Sequence, residues 1–148
     1  MSDIRSRYVA DAVATVGPAR LLTMLYDRML LDVDRAVEAF EAGEVVTGRG
    51  HLQHAQEIIA ELIVSLDEQA WSGGPQLMAI YRYLLGELIS AGSRGDVELT
   101  RACRSLVEPL AEAWHEAARS LAQVPTPVTP ADAPALESAT AVGLLGVG

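Results

Sequence analysis

Lysine is missing from this chain: all eleven basic residues are arginine, they are scattered singly, and against twenty acidic residues they leave a formal net charge of −9. A phosphate backbone would meet repulsion with no basic stripe to offset it, so nucleic acid is not expected as a partner. Cysteine is nearly missing too. Cys103 stands alone, which excludes an internal disulfide and any cysteine-built zinc site, and its small apolar side chain suits a helix interface. Long apolar runs are also lacking, because Asp, Glu or Arg interrupts each one well before the roughly eighteen residues a membrane span needs. No direct membrane insertion is expected. The opening MSDIRSRYVADAV has no continuous apolar core and carries Asp3 and Asp11, so it does not read as a secretory signal and the expected location is the cytoplasm. Sustained period-two alternation, hairpin signals and GxGxxG are absent as well, which argues against strands and a dinucleotide site.

What is present is helical periodicity. With 148 residues, 50% of them hydrophobic, there is room for one compact domain with a true core. The stretch TVGPARLLTMLYD, Thr15 to Asp27, starts the first long helix: Gly17 and Pro18 stop what precedes, and a proline is tolerated at the first helical position. Leu22, Leu25, Met29, Val33, Ala36, Val37 and Phe40 then recur at steps of three and four, and Gly43 is placed to end the stripe. This helix, Pro18 to about Ala42, spans roughly 37 Å at 1.5 Å per residue.

The same spacing continues along the chain. Leu52, Ala55, Ile59, Leu62 and Leu66 form a seam on a second helix, expected from about Glu44 to Ala70. The loop Trp71-Ser72-Gly73-Gly74 leads to Pro75, which opens a third helix carrying Leu77, Ile80 or Tyr81, Leu84, Leu88 and Ala91 and closing over Gly92 to Gly95. Asp96 is placed to N-cap a fourth, with Leu99, Cys103, Leu106, Leu110, Trp114, Ala117 and Leu121 on its stripe and a kink expected near Ser105 to Pro109. Four long helices with short connections predict an all-α, antiparallel up-down-up-down four-helix bundle. Residues 1–16 are expected to form a short cap segment. The bundle domain is expected over 1–124, followed by a disordered Pro/Gly-rich tail over 125–148.

Reactive chemistry finds little support. Di-metal bundles use two Glu-x-x-His pairs, whereas this chain has one, Glu112 with His115; around His54 the order is reversed, with Glu57 after it. The histidines therefore read as helix-surface residues, with no metal or cofactor. No Ser, His and Asp fall in a nucleophile motif, so a non-enzyme is expected. More informative is a surplus of apolar residues beyond the seams, among them Leu21, Leu30, Leu31, Ile58, Ile63, Val64, Met78 and Leu85. These are either the flanks of a wide core or grooves that accept an apolar partner helix.

The order of these blocks resembles the flagellin-specific export chaperones, the FliS family, over about residues 8 to 120. Tyr8, Val13, Thr15 and Pro18 match the family's lead segment, and Leu21-Leu22-x-Met24-Leu25-Tyr26-Asp27 its strongest block. Leu52-x-x-Ala55-Gln56-x-Ile58-Ile59-x-x-Leu62, Ile80-Tyr81-x-Tyr83, and Asp96 followed by Leu106, Leu110 and Ala113-Trp114 resemble the later helices. Arg28, Arg82 and Gly92 depart from the family's usual Gly, Asp and Asn. The resemblance implies a cytoplasmic chaperone that binds the C-terminal helical segment of flagellin, prevents premature polymerisation, and delivers it to the flagellar type III export gate. Leu21, Ile58, Ile63, Tyr81 and Leu85, beside the seams, are the candidate flagellin-binding residues. Tyr8 is the residue the resemblance assigns to the cytoplasmic domain of the export-gate membrane protein, the alternative being a staple on the bundle end. A helical-bundle interaction or signalling protein with no export role is the competing reading. The tail's Val142, Leu144 and Leu145 loosely resemble flagellin C-termini; the first reading is a disordered tail with accidental apolar residues, and the alternative is occupation of a client groove in cis.

Overall fold

The computed structural model describes residues 18–123. Among them the chain forms four α-helices and no strand: α1 Pro18–Glu41, α2 Val45–Ser65, α3 Gly74–Arg94 and α4 Val97–Gln123. The lead segment with Tyr8 and the tail from Pro125 lie outside the described residues. Residues 119–123 of α4 fall in a second unit of the chain, and the packing below concerns the first, which ends at Ala118.

The helix ends follow from local chemistry. Gly43, at φ 77°, donates its N–H to the Phe40 carbonyl at 3.0 Å, and Glu44 donates to Ala39 at 2.8 Å, so carbonyls orphaned at the end of α1 are satisfied. α2 stops at Ser65, short of the expected Ala70. There Leu66 turns to extended backbone while its N–H still reaches the Leu62 carbonyl, and Asp67 Oδ1 accepts the Gln69 N–H at 3.1 Å. An Asx turn of this kind offers the backbone an alternative to another helical turn. α3 ends within the expected span Gly92 to Gly95, passing Gly92 because one glycine costs a helix only about 1 kcal/mol. It runs to Arg94 and is capped by Gly95 in the left-handed region, φ 60°. Asp96 is the N-cap anticipated for α4, its Oδ1 accepting the Leu99 N–H at 3.0 Å. α4 then passes through Pro109 without interruption.

The core is one cluster drawn from all four helices. Tyr26, Met29, Val33, Ala36 and Phe40 come from α1, Leu52, Ala55, Ile58, Ile59 and Leu62 from α2, and Leu77, Tyr81, Leu84, Leu88 and Ala91 from α3. On α4 the buried line is Cys103, Val107 and Ala111, with Thr100 also buried, while Leu99, Leu106, Leu110 and Trp114 pack against the cluster half-buried. The centre of the expected stripe is thus displaced by about one residue, and Ala117 is exposed. Small side chains at the centre let α4 approach closely while its leucines close the flanks. Cys103 is wholly buried, and desolvation first, then the Glu87 carboxylate on α3, pushes its thiol up to about 12.

Side-chain contacts of α1 with α4, and of α2 with α3, pair rising residue numbers on one helix with falling numbers on the other. Asp27, Asp34 and Glu41 of α1 meet His115, Arg104 and Arg101 of α4. Arg49 of α2 donates to the Gly92 and Ser93 carbonyls of α3, and Gln56 donates to Leu88. Inside the bundle, α1 and α2 share a polar contact the hydrophobic pattern did not announce. Asp32 is fully buried and pairs with His54, so His54 is half-buried and not simply a surface histidine. The other Asp32 oxygen lies 3.3 Å from Arg28 Nε but without hydrogen-bond geometry.

At the α1–α2 turn the packing is tight, since a Cβ on Gly48 would fall 2.3 Å from the Phe40 ring. Gly86, in contrast, is exposed and a Cβ there would meet nothing within 4 Å. Gly86→Ala is therefore expected to raise stability by about 0.5–1 kcal/mol by lowering the chain entropy lost on folding. Gly48→Ala is expected to lower it by about 1–3 kcal/mol through overpacking. Urea unfolding followed by circular dichroism checks both signs.

Candidate functional site

At the end of the bundle opposite the Phe40–Gly48 contact, described residues of all four helices surround a pocket of about 250 Å³. Leu22 from α1, Leu62 and Leu66 from α2 and its end, Leu77 and Tyr81 from α3, and Trp114 from α4 form its apolar walls. Trp71 and Ala70 of the α2–α3 connection complete the rim, with Ser65 and Asp67. Few polar groups and concave apolar walls fit an apolar side chain presented by a partner.

The connection holds its tryptophan in a defined place. A Cβ on Gly73 would fall 2.1 Å from the Trp71 ring, so only glycine allows the indole to lie against this turn. Gly74 donates its N–H to the Trp71 carbonyl at 3.1 Å. Trp71 stays 49% exposed, on the lip of the pocket.

Behind the wall sits a polar contact in apolar surroundings. Tyr26 is 0% exposed and Tyr81 2% exposed, and their hydroxyls share a hydrogen bond of 2.5 Å across α1 and α3. The Tyr26 ring stacks on Trp114 with centroids 6.4 Å apart and planes at 28°. Burial is the largest cause raising both phenols above their ordinary range. The shared bond raises Tyr26 further and works against burial at Tyr81, and either hydroxyl can donate.

Of the five residues expected beside the seams, the pocket includes Tyr81 alone. Ile58, 4% exposed, and Tyr81 both lie in the core cluster and not on its flank, because the apolar stripes of α2 and α3 are wide enough to bury them. Ile63 and Leu85 are half-buried and pack against that cluster, and Leu21 is half-buried next to the pocket residue Leu22. Tyr8 lies outside the described residues. Leu22, Leu66, Trp71, Leu77 and Trp114 were not singled out as binding residues. The signal that could have found them is position: Leu22, Leu66, Leu77 and Trp114 are seam residues toward the bundle end where the Trp71 connection lies. Further apolar residues remain exposed on the helices, including Val64 at 83%, Tyr83 and Ile89.

Sequence comparison gives this geometry its family context. The family described as "Flagellar protein FliS" matches residues 1–121. The chain is 34% identical over 123 residues to the flagellar secretion chaperone FliS of Escherichia coli (strain K12), covering 81% of this chain and 90% of that protein. It is 31% identical over 112 residues to the protein of the same description from Salmonella typhimurium, covering 73% and 82%. With that of Bacillus subtilis (strain 168) the identity is 27% over 113 residues, covering 76% and 84%.

The buried phenols make alkaline stability a test of this site. A phenol in the unfolded chain ionises near pH 10, whereas burial keeps Tyr26 and Tyr81 protonated in the fold. Their contribution is fully present below about pH 10 and is lost as pH rises, each group removing up to about 1.4 kcal/mol per pH unit. The alkaline midpoint of the helical circular dichroism signal should move to higher pH in a Tyr26→Phe/Tyr81→Phe double variant, and an unmoved midpoint would contradict the assignment.

Proposed function

The chain belongs to the FliS family of flagellar secretion chaperones, and from that premise we propose that it binds the C-terminal helical segment of flagellin in the cytoplasm, prevents premature polymerisation, and delivers the client to the flagellar type III export gate. This is a chaperone family and not an enzyme family. No described helix is long and apolar enough to cross a membrane. The observation that carries the reading is the open apolar pocket at one bundle end, rimmed by Trp71 and backed by Tyr81 and Trp114. An amphipathic helix waiting to assemble needs its apolar face covered, and a bundle with an apolar-walled pocket and exposed apolar residues on its described helices supplies that cover.

Coexpression with a flagellin C-terminal fragment tests the proposal: a stable one-to-one complex on size exclusion supports it, and the absence of any complex supports an interaction protein with no export role. Within the complex, Trp71→Ala should weaken the fragment's affinity about tenfold, near 1.4 kcal/mol, since an exposed aromatic at the lip acts as an anchor without supporting the fold. Ile63→Asp should weaken it too with helicity intact; unchanged binding, or loss of the fold, would remove Ile63 from the client surface.

Hand-over calls for a separate contact. Tyr8, on the lead segment, is the residue we assign to the cytoplasmic domain of the export-gate membrane protein, since aromatics often anchor interfaces. Tyr8→Ala is expected to keep flagellin binding and lose gate binding in pull-downs. Equal loss of both would refute this division.

A further inference from the structure

We propose that Tyr26 is the positioning residue of the pocket: enclosed itself, it fixes through its hydroxyl and its ring the two aromatic side chains, Tyr81 and Trp114, that line the pocket. This rests on the reading that the pocket receives an apolar side chain of the client.

Three observations converge on Tyr26. It is wholly buried, so it has no surface to offer. Its hydroxyl bonds to that of Tyr81, which lines the pocket, at 2.5 Å. Its ring face stacks on Trp114, which lines the same pocket from α4. One side chain on α1 therefore braces walls contributed by α3 and α4.

The hydroxyls are not needed for apolar burial. A pair of phenylalanines would fill the same space without desolvating two polar groups, which is favourable only when those groups pair. What the hydroxyl pair adds is direction. Apolar contact is non-directional and lets a ring slide or tilt, whereas an O–H···O bond requires both oxygens at a set separation and angle. Tyr81 is thereby held in one tilt as the floor of the pocket, and the stacked Trp114 is confined by the same anchor. A preformed wall spares a partner the cost of ordering it on binding.

The test separates positioning from stability. Each single variant, Tyr26→Phe or Tyr81→Phe, leaves one buried hydroxyl without its partner and should lower the melting temperature. The double variant removes both and should recover it. If positioning is the role, the double variant, though as stable as wild type, shows greater acrylamide quenching of the tryptophan fluorescence. It should also bind a flagellin C-terminal peptide about fivefold more weakly, the lower end of coupling between sites. A double variant with wild-type stability, quenching and affinity overturns the proposal, as does one whose stability loss is the plain sum of the singles, since the hydroxyls would then not be paired. Should the wild-type protein fail to bind the peptide, the client reading falls by itself, while the quenching comparison still decides the role of Tyr26.

Discussion

A hydroxyl enclosed by apolar side chains must find its partner inside the protein or lose the hydrogen bond it had in water, and the Tyr26–Tyr81 bond meets that requirement beside the pocket. On its inner side the seams interdigitate through Met29, Ile59 and Leu84, all without exposed surface. On its outer side the next layer, Leu22, Leu66, Leu77 and Trp114, borders an open pocket. The stretch Leu21 to Asp27 thus supplies one wall of the pocket, one half of the hydroxyl pair and, through Asp27, a hydrogen bond to His115 of α4.

The electrostatics complement this arrangement without competing with it. Exposed pairs join α1 to α4, Arg104 to Asp34 at 2.5 Å and His115 to Asp27 at 2.7 Å, and contacts of this kind contribute modestly in water. The buried Asp32–His54 contact between α1 and α2 is of another kind. A carboxylate with no exposed surface is tolerated only with partners, so it disfavours any register of α1 against α2 that separates them. Ion pairs occupy the α1–α4 flank, and the bundle end around Trp71 is left mostly apolar.

Much of the fold was legible because helix formation and burial share one period. Steps of three and four from Leu22 to Phe40 and from Leu52 to Leu66 both mark helices and name most of their buried residues, and Pro75, Gly43, Gly95 and Asp96 mark where elements begin and end. The end of α2 was not legible, because an Asx turn at Asp67 competes with a helix in a way periodicity does not register. The polar centre was hidden for a similar reason: Asp32 reads as a surface acid until the structure places His54 across from it. The candidate pocket is legible only in outline: composition announces a surplus of apolar surface, and the expected set includes Tyr81, which lines the pocket, whereas Ile58 is spent on the core. Which seam residues become pocket walls depends on where neighbouring helices end relative to one another, which no single helix records.

The chain has only two tryptophans, and both line the pocket. Their two indole N–H signals in a nitrogen–proton correlation spectrum are therefore direct reporters of its occupation. On adding a flagellin C-terminal peptide to the full-length protein, the account predicts that both indole signals shift and reach saturation together with complex formation. A complex that forms while both signals stay where they were would contradict it.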